Sequence, residues 1–481
     1  MSAELHEECG VFGIYNNNDL VLAQEVYLAL YALQHRGQMS CGIAVNNGGI
    51  FDHYKDCGIV PEVFDEKILE SLTENGNGDI AVGHVRYSSN KMIHQVNSQP
   101  LVMRYARGTI SLASNSCLVN TDEIRRELAH DGCVFQTTGD AELIAYLIAR
   151  ARIAAGSIEK AVCRMMEKVS GAYSLVLMSP RKLLAVRDPQ GFRPLCIGRI
   201  EDSYIFASET CALDTLGAEF VRDVQPGEIV WVDENGLHSD TTHCGRKSSL
   251  CVFEHVYFAR PDSIIDGASV HEARLRAGQF LAQQSPVEAD VVVGVPDSGL
   301  DAALGFSRES GIPFAMGFIK NRYIGRTFIQ GSQAQRVQSV QIKLNPLKSA
   351  VSGKRVVLVD DSIVRGTTIA RIVGLLRGAG ATEVHLRISS PPFINPCYFG
   401  TDIDSKDKLI ACRMSRDRIC KEVGADSLDY LSLENLGKIA PSSTSGMCMG
   451  CFTGDYPIAV KEEPEEDPYS RKLPSLAKKP K

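Results

Sequence analysis

The sequence predicts two consecutive domains, an α+β domain followed by an α/β domain. Up to about residue 240, short β-rich runs are joined by tight polar turns, which indicates antiparallel hairpins interrupted by amphipathic helices. From about residue 251, strands and helices alternate, and this rhythm is typical of βαβ units around a parallel sheet. The 481 residues are enough for two or three domains with buried cores.

In the first half, strands are predicted at 10–15, 42–45, 80–85, 110–113, 173–178, 182–187, 195–199, 204–208 and 229–232. Helices are predicted at 24–33, 141–152 and 157–169, where apolar residues recur with helical spacing. Tight polar turns predict that the strands 173–178, 182–187 and 195–199 pair as consecutive antiparallel hairpins. The run 229–232 is predicted to be the last strand of this half.

In the second half, a polar connector at 241–250 leads to predicted strands at 291–295, 314–318, 355–359 and 383–389. Helices are predicted at 300–310 and 367–377, the second of which ends before Gly380. Residues 459–481 are predicted to form a disordered tail, because charged residues and proline dominate this segment.

Composition argues against several classes of protein. The formal net charge of −7 gives no support for nucleic-acid binding, which usually shows a basic face. No apolar run approaches the ~20 residues that span a membrane, and the acidic first eight residues do not form a secretory signal. Without such a signal, the 15 cysteines favour the reducing cytoplasm, where thiols serve metals or catalysis.

The most informative segment is 356–368, where apolar residues end in Asp360 and Asp361 before a loop that opens a helix. Carboxylates at the carboxyl end of a parallel strand lie where α/β sheets bind ligands. The free N–H groups and the positive end of the following helix favour a phosphate. The acid pair can accept hydrogen bonds from sugar hydroxyls or hold Mg²⁺. Without a ligand, the same pattern is a solvated acidic turn.

This segment resembles the phosphoribosyl pyrophosphate (PRPP) signature of type I phosphoribosyltransferases. The resemblance implies that PRPP is bound by the acid pair and the loop that follows it: Asp360, Asp361, Ser362, Arg365, Gly366, Thr367 and Thr368. It also places Ser298, in the small-residue turn after strand 291–295, beside Mg²⁺ with the two aspartates. The basic segment 320–328 resembles the family's flexible loop, so PRPP contacts are expected from Lys320, Arg322 and Arg326. Considered alone, that segment is a solvated basic loop.

Cys9 follows a short acidic leader at 1–8. If the leader is removed, Cys9 becomes the terminal residue, and its α-amino group, with a pKa near ~8, can act as general base for its own thiol. This combination suits amide hydrolysis. Taken alone, Cys9 would be interpreted as a buried structural thiol.

Two further motifs follow Cys9, Gln-His-Arg-Gly-Gln at 34–38 and Gly-His-Val-Arg-Tyr at 83–87. Their intervals resemble the glutaminase domain of N-terminal-nucleophile amidotransferases. With the PRPP segment, they make the chain similar to the family of glutamine PRPP amidotransferases, in the branch with a leader and an iron–sulfur cluster. The resemblance runs from Cys9 to about Pro457. It implies an N-terminal-nucleophile hydrolase domain (an αββα sandwich) at 9–241 and a type I phosphoribosyltransferase domain at 242–458.

The resemblance also assigns roles within the first domain. Cys9 is expected to be the nucleophile, and Asn115 to donate a hydrogen bond to the tetrahedral oxyanion. Arg86 is expected to bind the α-carboxylate of glutamine as a bidentate pair, and Asp140 its α-ammonium group. The full set of expected glutamine ligands is Arg36, Arg86, Tyr87 and Asp140. Outside this ordered set, Arg86 and Asp140 would be interpreted as members of ion pairs.

The oxyanion segment departs from the family pattern, because residues 114–117 read Ser-Asn-Ser-Cys where the family reads His-Asn-Gly-Asn. A serine held at the positive φ of a glycine would cost about 1–2 kcal/mol. Loss of one oxyanion donor slows acyl chemistry about 10²–10³-fold. Met39 and Ser89 also replace an acidic residue and a threonine of the family. An impaired glutaminase is therefore a second interpretation.

Cys448 and Cys451 form a C-x-x-C pair, and Cys251 and Cys397 match the remaining ligands of a [4Fe–4S] cluster in the cluster-containing branch of the family. Four thiolates satisfy such a cluster. Zinc on four thiolates is the second interpretation, and buried core thiols are the third. Because the four positions lie far in sequence from both motif groups, a structural clamp that joins the domains is favoured over redox catalysis.

The expected enzyme releases ammonia from glutamine at Cys9. The ammonia travels inside the protein and displaces pyrophosphate from C1 of Mg²⁺-bound PRPP, which gives 5-phosphoribosylamine, the first step of purine synthesis. The family is a homo-oligomer inhibited by purine nucleotides, and a homotetramer is expected here. Two alternatives stay open: an ammonia-dependent phosphoribosyltransferase with a decayed glutaminase, and a non-catalytic sensor of PRPP or nucleotides.

Overall fold

The computed structural model describes residues 9–87, 95–321, 344–401, 403 and 405–460. The predicted leader at 1–8 and the tail from residue 461 lie outside the described residues. None of the helices in the described ranges is both long enough and apolar enough to cross a membrane.

The strands of the first half are β1 (Gly10–Tyr15), β2 (Ser40–Asn47), β3 (Ile50–Cys57), β4 (Ile80–Arg86), β5 (Leu101–Tyr105), β6 (Gly108–Leu118), β7 (Gly171–Met178), β8 (Leu183–Arg187), β9 (Cys196–Ile200), β10 (Ser203–Ala207), β11 (Glu219–Asp223), β12 (Ile229–Asp233) and β13 (Gly236–Asp240). The helices of the first half are α1 (Leu22–Ala32), α2 (Val60–Val63), α3 (Glu66–Ser71), α4 (Thr121–His130), α5 (Asp140–Ala154), α6 (Ile158–Met166) and α7 (Thr210–Leu216).

These strands form two antiparallel sheets with the orders β11-β9-β10-β1-β4-β2-β3 and β13-β12-β8-β7-β6-β5. The sheets face each other across an apolar layer that includes Val11 and Val82 from the first and Val176 and Ala185 from the second. Helices α1 and α7 cover the outer face of the first sheet, and α5 and α6 cover the outer face of the second. The four layers confirm the predicted αββα sandwich.

Two predictions about strand pairing in this half are wrong. β7 and β8 form the predicted hairpin, but β9 lies in the other sheet, between β10 and β11. The eight residues that join β8 to β9 are too many for a tight hairpin turn. The last strand is β13 rather than 229–232, and its polar sequence escapes detection because it lies at a sheet edge.

The strands of the second half are β14 (Leu250–Cys251), β15 (Ile264–Ile265), β16 (Ala268–Ser269), β17 (Val291–Gly294), β18 (Phe318–Lys320), β19 (Leu344–Pro346), β20 (Arg355–Asp360), β21 (Glu383–Ile388), β22 (Ser427–Tyr430) and β23 (Met447–Cys448). The helices are a π-helix (Glu254–Phe258), α8 (Val270–Gln284), α9 (Gly299–Ser310), α10 (Lys348–Val351), α11 (Thr367–Gly378), a 3₁₀ turn (Lys406–Lys408), α12 (Ile410–Arg413), α13 (Arg416–Glu422), α14 (Leu433–Leu436) and α15 (Gly450–Thr453).

The centre of this half is a four-stranded parallel sheet with the order β17-β20-β21-β22. Val292 and Val357 face the core that contains α8 and α9. Val293 and Leu358 face the opposite core, which contains α11. Because both faces are buried, the strands are apolar throughout, and the predicted α/β domain is confirmed.

The predicted strand 314–318 is not formed as such. Phe314 makes a single bridge to Val292, and β18 begins only at Phe318, where it pairs with β19. Pro313 and Gly317 explain this difference, because proline removes a ladder donor and glycine weakens a strand interior.

Helices α8 and α9 pack closely because each presents a glycine to the other. A Cβ atom built on Gly278 would lie 1.8 Å from the carbonyl oxygen of Ala302, and one on Gly305 would lie 1.9 Å from that of Leu275. We therefore expect Gly278→Ala to destabilise the fold by about 1–3 kcal/mol, because the two backbones must move apart. The free energy of unfolding is measured by denaturant titration.

The matched control is Gly374→Ala in α11, because a Cβ atom at Gly374 would have none of the neighbouring described atoms within 4 Å. That variant should stabilise the protein by up to about 1 kcal/mol, because alanine favours helix over glycine. Equal unfolding midpoints for the two variants would contradict the close packing of α8 on α9.

Candidate functional site

Cys9 precedes β1, and its side chain is inaccessible to solvent. Its backbone N–H donates to Oδ1 of Asn115 at 3.3 Å. Gly10 lies opposite Val85 of β4, so Cys9 and Arg86 lie at the same end of these two neighbouring strands. The nitrogen that would become an α-amino group if the predicted leader were removed therefore lies beside the predicted oxyanion residue.

Asn115 lies in β6 opposite Ser174 of β7, and it is 1% exposed. Its Oδ1 accepts from Cys9, whereas its Nδ2 is buried without a hydrogen-bond partner among the described residues. Leaving such a donor unsatisfied costs about 1–3 kcal/mol. A buried donor beside a nucleophile can stabilise negative charge that develops there during the reaction.

The backbone strain predicted for Ser116 is absent. Among the described residues, the non-glycine positions with positive φ are Glu201 and Asp266. Ser116 keeps the extended backbone of β6, opposite Tyr173, and its hydroxyl lies 3.1 Å from that of Ser114. The structure therefore removes the strain argument for an impaired glutaminase.

Arg36 has partners that differ from the predicted glutamine. Its side chain is buried, and its Nε donates to the carbonyl oxygen of Cys9 at 3.0 Å. Its two Nη atoms bind the carboxylates of Glu209 and Glu254, the second at 2.8 and 3.0 Å. With all three nitrogens engaged in this way, Arg36 holds the backbone of Cys9 and two carboxylates, and its predicted contact with glutamine stays a prediction.

Charge pairing sets the ionisation of both carboxylates around this guanidinium. Burial alone would raise the pKa of Glu209, but His35 and Arg36 hold it well below its usual value. Burial likewise opposes ionisation of Glu254, and Arg36 again lowers its pKa. Removing one partner of such a buried set costs about 3–5 kcal/mol, because it leaves an uncompensated charge.

The same network reaches the second half of the chain. Glu254, in the π-helix, also accepts from Nη1 of Arg193 at 3.2 Å, and Nη2 of Arg193 donates to the carbonyl oxygen of Phe399 at 2.8 Å. Glu209 accepts from the hydroxyl of Ser263 at 2.7 Å. The position of the nucleophile therefore depends on residues from both halves.

Arg86 ends β4 and is fully buried, and Tyr87 follows it. Asp140 begins α5, where its two oxygens accept the N–H of Leu118 at 2.7 Å and the hydroxyl of Thr121 at 2.9 Å. These bonds hold the carboxylate at the end of the strand that carries the oxyanion amide. Burial raises the pKa of Asp140, so a bound ammonium group would favour its charged form.

The acid pair lies at the carboxyl end of β20, where Asp360 and Asp361 are 8% and 7% exposed. Asp361 accepts from the hydroxyls of Ser298 and Ser362, so the turn after β17 meets the acid pair as predicted from the resemblance. Burial raises the pKa of both carboxyls, and the charge of Asp361 adds to the effect on Asp360. A cation would relieve this, and the oxygen-only donor set fits Mg²⁺.

The loop after the acid pair ends at Gly366, whose φ of 83° is left-handed and suits glycine. Helix α11 starts at the next residue, so its first N–H groups point back toward the loop. Arg365, Thr367 and Thr368 are exposed or partly exposed at this helix end. This is the environment that a phosphate group requires.

Lys320 is at the end of β18 and forms an ion pair with Asp297, in the turn that precedes Ser298. Its ammonium group therefore lies next to the small-residue turn. Arg322 and Arg326 lie outside the described residues.

The four predicted cluster ligands come together from three distant segments. Cys251 and Cys448 lie opposite each other in the paired strands β14 and β23. Cys451 follows in α15, and its carbonyl oxygen accepts two N–H groups, at 3.1 and 3.2 Å, from the loop that leads to Cys397. All four are free thiols, and they contact one shared apolar core.

The chemistry of these thiols suits ligands of a metal centre. Burial is the main cause that raises the pKa of Cys251, Cys448 and Cys451, so they ionise only beside a strong cation. Four thiolates would satisfy either a [4Fe–4S] cluster or a tetrahedral zinc ion.

Sequence reasoning missed the buried charges around Cys9. Arg36 pairs with Glu209 and Glu254 across 173 and 218 residues, and no local pattern records such a pairing. The available signal is the glutamate at 254, because it interrupts the apolar run 250–258. A charge in such a run requires a partner when it is buried.

Comparison with known proteins agrees with this geometry. Residues 84–215 match the glutamine amidotransferase domain family, and residues 269–389 match the phosphoribosyl transferase domain family. An amidophosphoribosyltransferase of Synechocystis is 49% identical over 460 residues, covering 95% of this chain and 92% of that protein. That of Methanocaldococcus jannaschii is 48% identical over 470 residues, covering 95% and 98%.

Two solved structures share the whole fold. The Bacillus subtilis glutamine PRPP amidotransferase complexed with ADP and GMP has a TM-score of 0.86 and 44% identity, covering 95% of this chain and 99% of that chain. A structure described as the allosteric regulatory enzyme of purine biosynthesis has a TM-score of 0.87 and 44% identity, covering 95% and 97%.

Fold, sites and relatives define a two-domain enzyme class, the glutamine-dependent pentosyltransferases, in which a glutamine amidotransferase domain serves a phosphoribosyltransferase domain. Within this class, the chain belongs to the amidophosphoribosyltransferase family. It acts on PRPP and glutamine.

The backbone of β6 predicts how substitutions in the oxyanion segment behave. Because Ser116 is already extended, Ser116→Gly should leave the glutamine-dependent kcat within about threefold, since no strain is relieved. Asn115→Ala removes a buried donor and should lower that kcat about 10²–10³-fold. Steady-state glutamate release measures both. A large gain for Ser116→Gly would show that the serine does impair the site.

Proposed function

We propose that Cys9 is the nucleophile of the glutamine half-reaction and that the acid pair at 360 and 361 carries the PRPP half-reaction, in one chain. The observation that carries this proposal is the position of the Cys9 nitrogen, 3.3 Å from Oδ1 of Asn115, whose Nδ2 has no other partner among the described residues. The reaction is the formation of 5-phosphoribosylamine, pyrophosphate and glutamate from PRPP, glutamine and water.

In the glutamine half, the α-amino group freed by leader removal takes the thiol proton of Cys9. The thiolate attacks the carboxamide carbon, and the oxyanion accepts a hydrogen bond from Nδ2 of Asn115. The C–N bond then breaks, and the amino group returns its proton to the leaving ammonia. Water hydrolyses the resulting thioester to glutamate and restores the thiol. Arg86 and Asp140 are assigned to the α-carboxylate and α-ammonium group of glutamine, with Tyr87 beside them.

In the PRPP half, the loop 362–368 and the start of α11 bind the phosphate of the sugar through N–H groups and hydroxyls. Mg²⁺ bound by Asp360, Asp361 and Ser298 would neutralise the pyrophosphate. Ammonia forms a bond to C1 while the C1–O bond breaks, and the electron pair leaves with pyrophosphate. Lys320 contributes positive charge beside this group, and the same role is assigned to Arg322 and Arg326. An internal route for ammonia would keep it unprotonated.

The domain division 9–241 and 242–458, with a removed leader and a disordered tail from residue 459, belongs to the same proposal. One relative was solved with ADP and GMP, and we propose that purine nucleotides inhibit this enzyme too. A homotetramer is proposed by analogy with the family. The 15 cysteines are free, which supports a location in the reducing cytoplasm.

A [4Fe–4S] cluster on Cys251, Cys397, Cys448 and Cys451 is proposed as a structural clamp. The strand β14 that carries Cys251 also bonds the first domain, because the N–H of Cys251 donates to the carbonyl oxygen of Phe192 at 3.1 Å. Cys117, on the oxyanion strand, donates to the carbonyl oxygen of Tyr398 at 3.3 Å, one residue beyond Cys397. The four ligands thus lie where the two halves of the chain meet.

The proposed nucleophile is tested by Cys9→Ala, assayed for phosphoribosylamine with glutamine and with ammonium chloride in parallel. Glutamine use should fall at least about 10³-fold, because the covalent step is lost, while ammonia use stays near that of the wild type. Intact mass reports whether residues 1–8 are absent. Surviving glutamine turnover would overturn the assignment, and a wild type active with ammonia alone would select the decayed glutaminase.

The proposed cluster is tested by Cys451→Ser, with iron and acid-labile sulfide measured on anaerobically purified protein. The wild type should contain about four irons and four sulfides per chain, as a [4Fe–4S] cluster requires, and the variant should lose both. Cys420→Ser is the matched control, because Cys420 is outside this group and its thiol donates to the carbonyl oxygen of Ala425 near its own helix end. One zinc per chain in place of iron would contradict the cluster.

A further inference from the structure

Arg274 is a buried arginine that the reaction described above does not use. It lies in the second turn of α8 and is 4% exposed. Its Nε donates to the carbonyl oxygen of His255 at 2.8 Å, and its Nη2 donates to that of Ala259 at 2.7 Å. His255 lies near the start of the π-helical turn that begins at Glu254, and Ala259 is the residue that closes the turn. One guanidinium therefore binds the turn near both of its ends.

The π-helical turn needs such support. It is a single turn, 254–258, closed by the N–H of Ala259, which donates to the carbonyl oxygen of Glu254 at 3.1 Å. Isolated π turns are rare and frequently occur at functional sites. A helix end leaves carbonyl groups without intrahelical partners, and here a charged side chain supplies two of the missing donors.

The turn matters because its first residue positions the nucleophile. Glu254 binds both Nη atoms of Arg36, and Nε of Arg36 holds the carbonyl oxygen of Cys9. A change in the turn therefore changes the direction of the Glu254 carboxylate. In enzymes, a displacement of about 1 Å at the reacting groups can cost on the order of 100-fold in rate.

We propose that Arg274 is a positioning residue that fixes the glutamine site through the π-helical turn. It touches neither substrate. The proposal rests on the function proposed above, and it adds a residue that sets the ratio between glutamine-dependent and ammonia-dependent synthesis. Ammonia use bypasses Cys9, so only glutamine use depends on the geometry of the turn.

The test compares Arg274→Lys and Arg274→Gln with the wild type, using both nitrogen sources. Lysine keeps the charge but cannot donate to two carbonyls in a fork. Both variants should lower the ratio of glutamine-dependent to ammonia-dependent kcat at least about tenfold, since the turn loosens in both.

Arg276→Gln is the matched control. Arg276 lies on the same helix and also donates to a backbone carbonyl, that of Ile439, away from the π-helical turn. The ratio of glutamine-dependent to ammonia-dependent kcat in Arg276→Gln should equal that of the wild type, even if the melting temperature of this variant falls. An unchanged ratio in both Arg274 variants, or full rescue of the ratio by lysine, would overturn the positioning role. If the wild type and Arg276→Gln form no product from either nitrogen source, the proposed function itself fails.

Discussion

One buried guanidinium holds the backbone of Cys9, the proposed nucleophile of this enzyme. Arg36 binds the backbone of Cys9 and the carboxylates of Glu209 and Glu254, which come from different parts of the chain. A buried charge that loses a partner costs about 3–5 kcal/mol, so the contact that holds Cys9 is stabilised by a carboxylate from each half of the chain. Residues of both domains therefore fix the position of the Cys9 backbone, although Cys9 itself belongs to the first domain.

The candidate sites share a second feature. Each contains a buried polar or ionisable group whose hydrogen-bond partner or opposite charge would come from a ligand. Nδ2 of Asn115 has no acceptor among the described residues, and burial raises the pKa of the neighbouring carboxyls of Asp360 and Asp361. Burial also raises the pKa of the Cys451 thiol. An oxyanion, a divalent cation and a cluster would each satisfy one of these groups. Such groups destabilise the free protein, but they are already in place to stabilise the charge of a ligand or of a transition state.

The sequence predicted what local patterns encode. The apolar run before the acid pair, the small turn at Ser298 and the bounds of β1 all follow from short-range chemistry, and the structure has them. It could not predict that β9 crosses to the other sheet, because the residues between β8 and β9 give no sign of which sheet comes next. It also gave no sign of the carboxylate partners of Arg36, which lie 173 and 218 residues away, and it predicted strain at Ser116 that an extended strand does not impose.

The claim that buried charges hold the nucleophile is tested most directly by the alkylation rate of Cys9 with a diazoketone analogue of glutamine, followed by peptide mass spectrometry. Glu254→Gln should slow alkylation of Cys9 at least about tenfold, because Arg36 loses a charged partner and the nucleophile is less well positioned. The exposed Cys57, labelled with iodoacetamide in the same sample, should react at an unchanged rate. Glu228→Gln, which affects a pair with Arg222 remote from the site, should leave Cys9 as reactive as in the wild type. Equal alkylation of Cys9 in the wild type and in Glu254→Gln would contradict the account.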